Sequence, residues 1–282
     1  MFNLVRVLML NLMATAALCQ SNVLIIGRTT GYLQLDGQTT VQSFGFSQSL
    51  SEVLNYPPKQ INIQVGDSVI IDFWNISQGQ NQTLKANGIL FEPTRETQFK
   101  TDGIEHMEHG YYKVYSTNPG TYIYYSDTEH PFNQRVGMFG LIHVYDQKSS
   151  RQPSTTWCSF EIDTSWHNTN LLNFEYTSRF DEKTLPPFKP QYFLINGKQG
   201  KKLSQEKLNL SLENEPIQII HLANTGAYNH SITFPNLVEV DLTWASDSLI
   251  QLDTIQNSIC IPPMSTCHIT VNAKLKGKAM IQ

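Results

Sequence analysis

Short runs rich in β-branched and aromatic residues, each closed by Gly, Pro, Asn or Asp, recur through the first half of the chain: NVLIIG, INIQVGDSVIIDFWN, YYKVYST, TYIYYS and LIHVYD. Within the second of these, Val69, Ile71 and Phe73 alternate with Ile70, Asp72 and Trp74. That alternation predicts a strand covered on one face and partly covered on the other. Strand-like runs resume with TWCSFEID, YFLING, IQIIHLAN, LVEVDLT, SLIQLD and CHITVNA, and no long segment carries a helical period. Between the two sets, Asp146 to Thr155 (DQKSSRQPST) is polar, contains a Pro and has no apolar periodicity, which marks a linker. The pattern predicts an all-β protein of two antiparallel β-sandwich domains, residues 20–147 and 156–282, joined by 148–155.

Length and composition agree with that division. A chain of 282 residues favours two domains. With 40% hydrophobic and 16% charged residues and a net charge of −4, it is ordinary globular material, and nothing attracts a nucleic acid. The N-terminus changes the picture more. One positive charge at Arg6, an apolar stretch from Val7 to Leu18 and the small residues around Ala17 and Cys19 have the layout of a secretory signal, residues 1–19. The apolar run is shorter than the roughly 20 residues a membrane span needs. A lipoprotein cut before Cys19 is the rival reading, disfavoured by the large Leu18. The expected location is secreted or extracellular, periplasmic if the source is bacterial.

Secretion makes cysteines and sequons relevant. Cys260 and Cys267 flank the turn-like IPPMST and are candidates for a disulfide, leaving Cys158 as a buried thiol. Asn75, Asn81, Asn209 and Asn229 begin Asn-X-Ser/Thr sequons, candidates for N-glycosylation in a eukaryote.

The order of motifs carries a resemblance. INIQVGDSVIIDFWN, TLKANGI, HMEHGYYKVYSTNPGTYIYYSD and GMFGLIHVYD resemble the first cupredoxin domain of the multicopper oxidase family. PQYFLINGK, IIHLANTG, YNHSITFP and IPPMSTCHITVNAKLKGKAMIQ are similar to a following domain of that family. The resemblance implies two cupredoxin-like Greek-key sandwiches and, in active relatives, copper held by imidazole and thiolate.

In that family a stretch like H-T-I-H-x-H-G and a strand end like Y-H-C-H supply first-domain ligands. The matching positions read Gln82-Thr83-Leu84-Lys85-Ala86-Asn87-Gly88 and Tyr124-Tyr125-Ser126-Asp127, and Asn133 stands where a further His precedes Gly137 and Met138. Gln82, Lys85, Asn87, Tyr125, Ser126, Asp127, Asn133 and Met138 are therefore the vacated copper-site positions, with Met138 the one ligand type retained. Lys85 is hostile to an ion: at ~4 Å and an effective dielectric of ~20, two unit charges repel by about 4 kcal/mol, doubled for a divalent ion. The expectation is a Lys85–Asp127 ion pair, with hydrogen bonds from Asn87 and Tyr125, in place of the cluster.

The remaining histidines read as structural. His106 and His109 belong to a stretch that the family places ahead of a strand. His130 lies in the loop after Ser126, from which it would pair with Met138 or His143 around an ion only if further ligands joined it. His230 lies in a family-like element whose next two ligand positions are Thr233 and Pro235, and His167, His221 and His268 are scattered singly. The chain stops at Gln282, about where family members continue toward a His-Cys-His set. No hydrolase-type Ser-His-Asp spacing or phosphate loop is present.

The expected protein is thus a secreted cupredoxin-like relative of the multicopper oxidases without copper or another cofactor. It would serve a binding or structural role toward a protein or matrix partner, with no membrane span. The alternative is a copper-dependent oxidase with atypical or partner-completed sites.

Overall fold

The computed structural model describes residues 21–77, 80–95, 97–99, 102–146, 154–174, 182–204 and 218–273. The expected signal segment, the sequon at Asn209 and most of the linker lie outside these residues. The first half contributes β1 (Ser21–Gln34), β2 (Thr40–Ser47), β3 (Ile61–Gln64), β4 (Ser68–Asn75), β5 (Leu84–Ala86), β6 (Leu90–Pro93), β7 (His109–Tyr115), β8 (Gly120–Ser126) and β9 (Phe139–Tyr145). Helix α1 (Phe132–Arg135) lies between the last two. The second half contributes β10 (Ser154–Ile162), β11 (Tyr192–Ile195), β12 (Gln218–Asn224), β13 (His230–Thr233), β14 (Val238–Ala245), β15 (Leu252–Asp253), β16 (Ser258–Ile261) and β17 (Ser265–Ala273). Its helices are α2 (Thr169–Leu172) and α3 (Gly200–Ser204). None of the described helices is long and apolar enough to cross a membrane.

Four sheets result, in the orders β2-β1-β4-β7-β6, β3-β9-β8-β5, β11-β10-β12-β17-β14 and β13-β16-β15. The two five-stranded sheets share one plan: β1 runs parallel to β4, which pairs antiparallel with β7, as β10 runs parallel to β12, which pairs antiparallel with β17. Non-consecutive neighbours of this kind are the signature of Greek-key crossovers. Burial along β4 alternates at every position, with Val69, Ile71 and Phe73 inside, as the hydrophobic pattern predicts. β1 is longer than NVLIIG: its apolar part pairs with β4, and its polar continuation to Gln34 pairs with β2 alone. β10 starts at Ser154, so Ser154 and Thr155 of the expected linker are strand.

The same asparagine corner closes β4 and β12. Asn75 Nδ2 donates to the carbonyls of Gln80 and Ile104 while its Oδ1 accepts from the Ser77 N–H. Asn224 Nδ2 donates to Tyr228 and Ile261 while its Oδ1 accepts from the Gly226 N–H. An Asx turn explains why Asn ends both strands. It also corrects the sequon reading, because Asn75 is fully buried and its amide is committed. Asn229 is exposed and Asn81 partly so.

One core is built mainly from the first half, with Trp166 and Leu172 of the second packed into it, another lies in the second half, and a third cluster joins them. Leu35, Val41, Tyr56, Ile123, Phe139 and Leu141 of the first half pack against Cys158, Phe160, Ile162, Leu194 and Ala223 of the second. The sheets facing each other across this seam are β3-β9-β8-β5 and β11-β10-β12-β17-β14. Cys158, Cys260 and Cys267 are all free, which corrects the expected disulfide. Cys260 faces outward on β16, whereas Cys267 points into the second core from β17, a strand of another sheet.

Candidate functional site

Of the positions that the resemblance assigns to copper, Gln82, Lys85, Ser126, Asp127 and Asn133 lie at or beside the ends of β5 and β8, which pair antiparallel with Leu84 opposite Ser126. Lys85 Nζ lies 2.5 Å from Asp127 Oδ2, the ion pair expected from the sequence. Beneath it, Ser126 Oγ donates to Gln82 Oε1 at 2.7 Å, and Asn133 Nδ2 donates to the Thr128 carbonyl at 2.8 Å. Gln82, Ser126 and Asn133 are each buried. The second acid of the loop, Glu129, pairs with Lys183 at 2.7 Å, and that ammonium sits 3.9 Å over the Phe132 ring. An ammonium–carboxylate pair and an amide–hydroxyl network thus take these positions, and they do not fit a copper ion: ammonium has no lone pair, and amide and hydroxyl are weak ligands for it.

Three of the expected positions go elsewhere. Asn87 follows β5 on the side away from Ser126, and its Nδ2 donates to the Met264 carbonyl of the second half at 3.0 Å. Alternation on β8 turns Tyr125 away from Ser126 and onto the seam between the halves. Met138 is wholly buried in the first core. The HMEH stretch does not converge either: His106 Nδ1 is 2.8 Å from the Ser77 carbonyl, while His109 Nδ1 meets Asp72 Oδ1 at 2.7 Å and its ring stacks on Trp74. His130 is exposed.

The histidines that do converge are His143, His221 and His268, whose ligand nitrogens all lie within 4.8 Å of one another. The sequence reading treats His221 and His268 as scattered and names His143 only as one of two alternative partners, with Met138, for His130. Register explains their meeting. Phe139 and Leu141 face the seam from β9, so His143, two further on, does too. Ala223 faces it from β12, which turns His221 the same way. His221 and His268 are direct cross-strand partners, and so are Thr121 and His143 on the facing sheet. Ring centroids are 4.2 Å apart for His143–His221 and for His221–His268.

Thr121 Oγ1 lies between two of the rings, 3.2 Å from His143 Nδ1 and 2.8 Å from His268 Nε2. Trp244 packs against His268 with centroids 4.8 Å apart, and Gly120 leaves it room, since a Cβ there would lie 2.5 Å from the indole. His221 is 4% exposed, and its Nδ1 has no hydrogen-bond partner. Leaving such an atom buried and unpaired costs about 1–3 kcal/mol. Burial pushes His143 down to about 4; burial and then the neighbouring rings push His221 to about 3 and His268 to about 2. All three are neutral at neutral pH, with lone pairs available. The signal in the sequence is one histidine on each of three strands, in each case between two core residues of the opposite phase, but pairing those strands needs the fold.

A second polar chain links Ser159, His230 and Glu161. His230 Nδ1 is 2.6 Å from Ser159 Oγ, and its Nε2 is 2.7 Å from Glu161 Oε1. Glu161 also accepts from the Ala227 and Tyr228 N–H groups, at 2.8 and 3.1 Å. Its carboxylate therefore clamps the turn after β12. The groove between the halves, about 650 Å³ and lined by Asn87, Tyr122, Trp244 and Met264 among others, does not include these three residues.

Residues 37–149 match the family model of the multicopper oxidases. No curated protein matches the chain by sequence. Among solved structures, a blue copper oxidase from Nitrosomonas europaea is similar at 17% identity and a TM-score of 0.66, over 92% of this chain and 77% of that one. The multicopper oxidase mgLAC is similar at 16% identity and 0.66, over 92% and 78%. A copper nitrite reductase from Nitrosomonas europaea is similar at 15% identity and 0.64, over 92% and 86%. At these identities the likeness establishes the fold, two cupredoxin-like β-sandwiches.

Proposed function

We propose that this chain, which carries a multicopper oxidase family domain over residues 37–149 on a cupredoxin-like fold, is a secreted, non-catalytic binding or structural protein. The observation that carries the reading is the occupancy of the family's copper positions: Lys85 ion-paired with Asp127, and Gln82 hydrogen-bonded to Ser126. Redox chemistry on this scaffold depends on imidazole and thiolate ligands that set the copper potential. Gln82, Lys85, Ser126 and Asn133 supply neither. The apolar segment Val7–Leu18 supports secretion, and the partner would be a protein or matrix component that uses the sandwich as a rigid scaffold.

The test is copper loading of the purified chain, followed by visible absorption and oxygen consumption with phenolic and metal-ion reductants. The expected result is no intense thiolate-to-copper absorption and no turnover. Stoichiometric blue copper with oxygen consumption would establish the oxidase alternative instead.

A further inference from the structure

We infer that His143, His221 and His268 form a binding site for a divalent transition-metal ion of the zinc class, which clamps the two halves together across their seam. The site shares no residue with the positions that the resemblance assigns to copper. One ligand comes from β9 of the first half and two from paired positions on β12 and β17 of the second. An ion there would tie both halves through a single centre.

Three features point to a metal ligand set. Nitrogens about 2.0–2.1 Å from a tetrahedral ion stand roughly 3.3 Å apart, so the observed limit of 4.8 Å is closed by moving each imidazole by about 1 Å or less. Rotation about the soft terminal torsion of histidine provides this. The buried, unpartnered Nδ1 of His221 is a lone pair or N–H that a hydrogen-bonded core would have satisfied. The strand neighbours of the trio are Asn62, Thr121, Thr156 and Trp244, with no carboxylate among them. An all-imidazole donor set excludes the hard ions calcium and magnesium, which demand oxygen, and suits zinc or copper with a fourth position left for water.

The experiment uses the full chain, stripped with chelator and titrated with Zn²⁺ by calorimetry and with Co²⁺ by visible absorption. One equivalent of Zn²⁺ is expected to bind and raise the melting temperature, with Co²⁺ giving the d–d bands of a tetrahedral nitrogen site. His143→Gln and His268→Gln should each weaken Zn²⁺ binding by at least about tenfold, with the metal-free circular dichroism of the wild type retained. His130→Gln, at an exposed position outside the trio, should bind as the wild type does. Absence of stoichiometric binding, or binding that both variants leave intact, overturns the proposal. If the variants fail to fold, the wild-type Co²⁺ spectrum decides: octahedral or absent bands refute the site. None of these readouts depends on thiolate-to-copper absorption, so this inference and the non-catalytic reading fail separately.

Discussion

The Lys85–Asp127 pair shows how little a visible contact need contribute. Lys85 is 59% exposed and Asp127 33%, so water and salt screen the attraction. Lys85→Ala should change stability by less than about 1 kcal/mol in urea unfolding, and the effect should shrink with added salt. Glu161 is the opposite case. Burial pushes its carboxyl up, but the hydrogen bond from His230, those from the Ala227 and Tyr228 N–H groups and the His230 charge outweigh burial and hold it below the ordinary range. A carboxyl with a lower value folded than unfolded adds stability above the unfolded value of about 4.3, and loses it as pH falls through the folded value. Glu161→Gln should therefore lower stability at neutral pH by about 1–3 kcal/mol, with the gap to wild type closing in acid, as melting curves over a pH series would report. The thiols differ by the same logic: burial pushes Cys158 and Cys267 up to about 12, whereas Cys260 is exposed. Of these three, Cys260 alone should react with a thiol reagent before unfolding.

At the scale of single elements, the connection from α1 to β9 is a tight constraint. Gly137 has φ +113°, and a Cβ there would lie 2.1 Å from Tyr56 Oη and 2.4 Å from the Phe44 carbonyl. Tyr56 Oη itself donates to that carbonyl at 2.6 Å, so neither neighbour can yield cheaply. Gly137→Ala should destabilise by about 2 kcal/mol or more in denaturant unfolding, combining a backbone outlier with a steric clash. The consequence reaches the trio, because α1 and Gly137 set where β9 begins and hence where His143 faces. β17 plays the matching part opposite, packing Cys267 into one core while presenting Thr266 and His268 to the seam.

Across the whole molecule, the shared cluster packs the halves against each other, and unfolding should therefore be cooperative. Phe160 is 5% exposed and packs tilted against Tyr56 and edge-to-face against Phe139, with centroids 5.2 and 5.3 Å away, both from the other half. Its truncation to alanine should cost about 3–5 kcal/mol and split a single calorimetric transition into two, as each half loses the other's support. An unchanged single transition would mean the halves are coupled chiefly elsewhere on the seam.

The strands and their burial were legible from alternation, as in β4, where every second residue goes inside, because a strand's side-chain period is a local property. The Lys85–Asp127 pair was expected from the family resemblance, and it forms because β5 and β8, distant in the chain, lie side by side in one sheet. Tertiary structure alone decided four things. It turned Tyr125 to the seam and separated Cys260 from Cys267 onto different sheets. It sent the amide of Asn87 to Met264 of the second half. It also brought His143, His221 and His268 together, although their strands pair in two sheets and stand far apart in the chain. Pattern along a chain records which face a residue takes, but which faces meet depends on how sheets pack, and that is settled by the summed burial of many side chains at once.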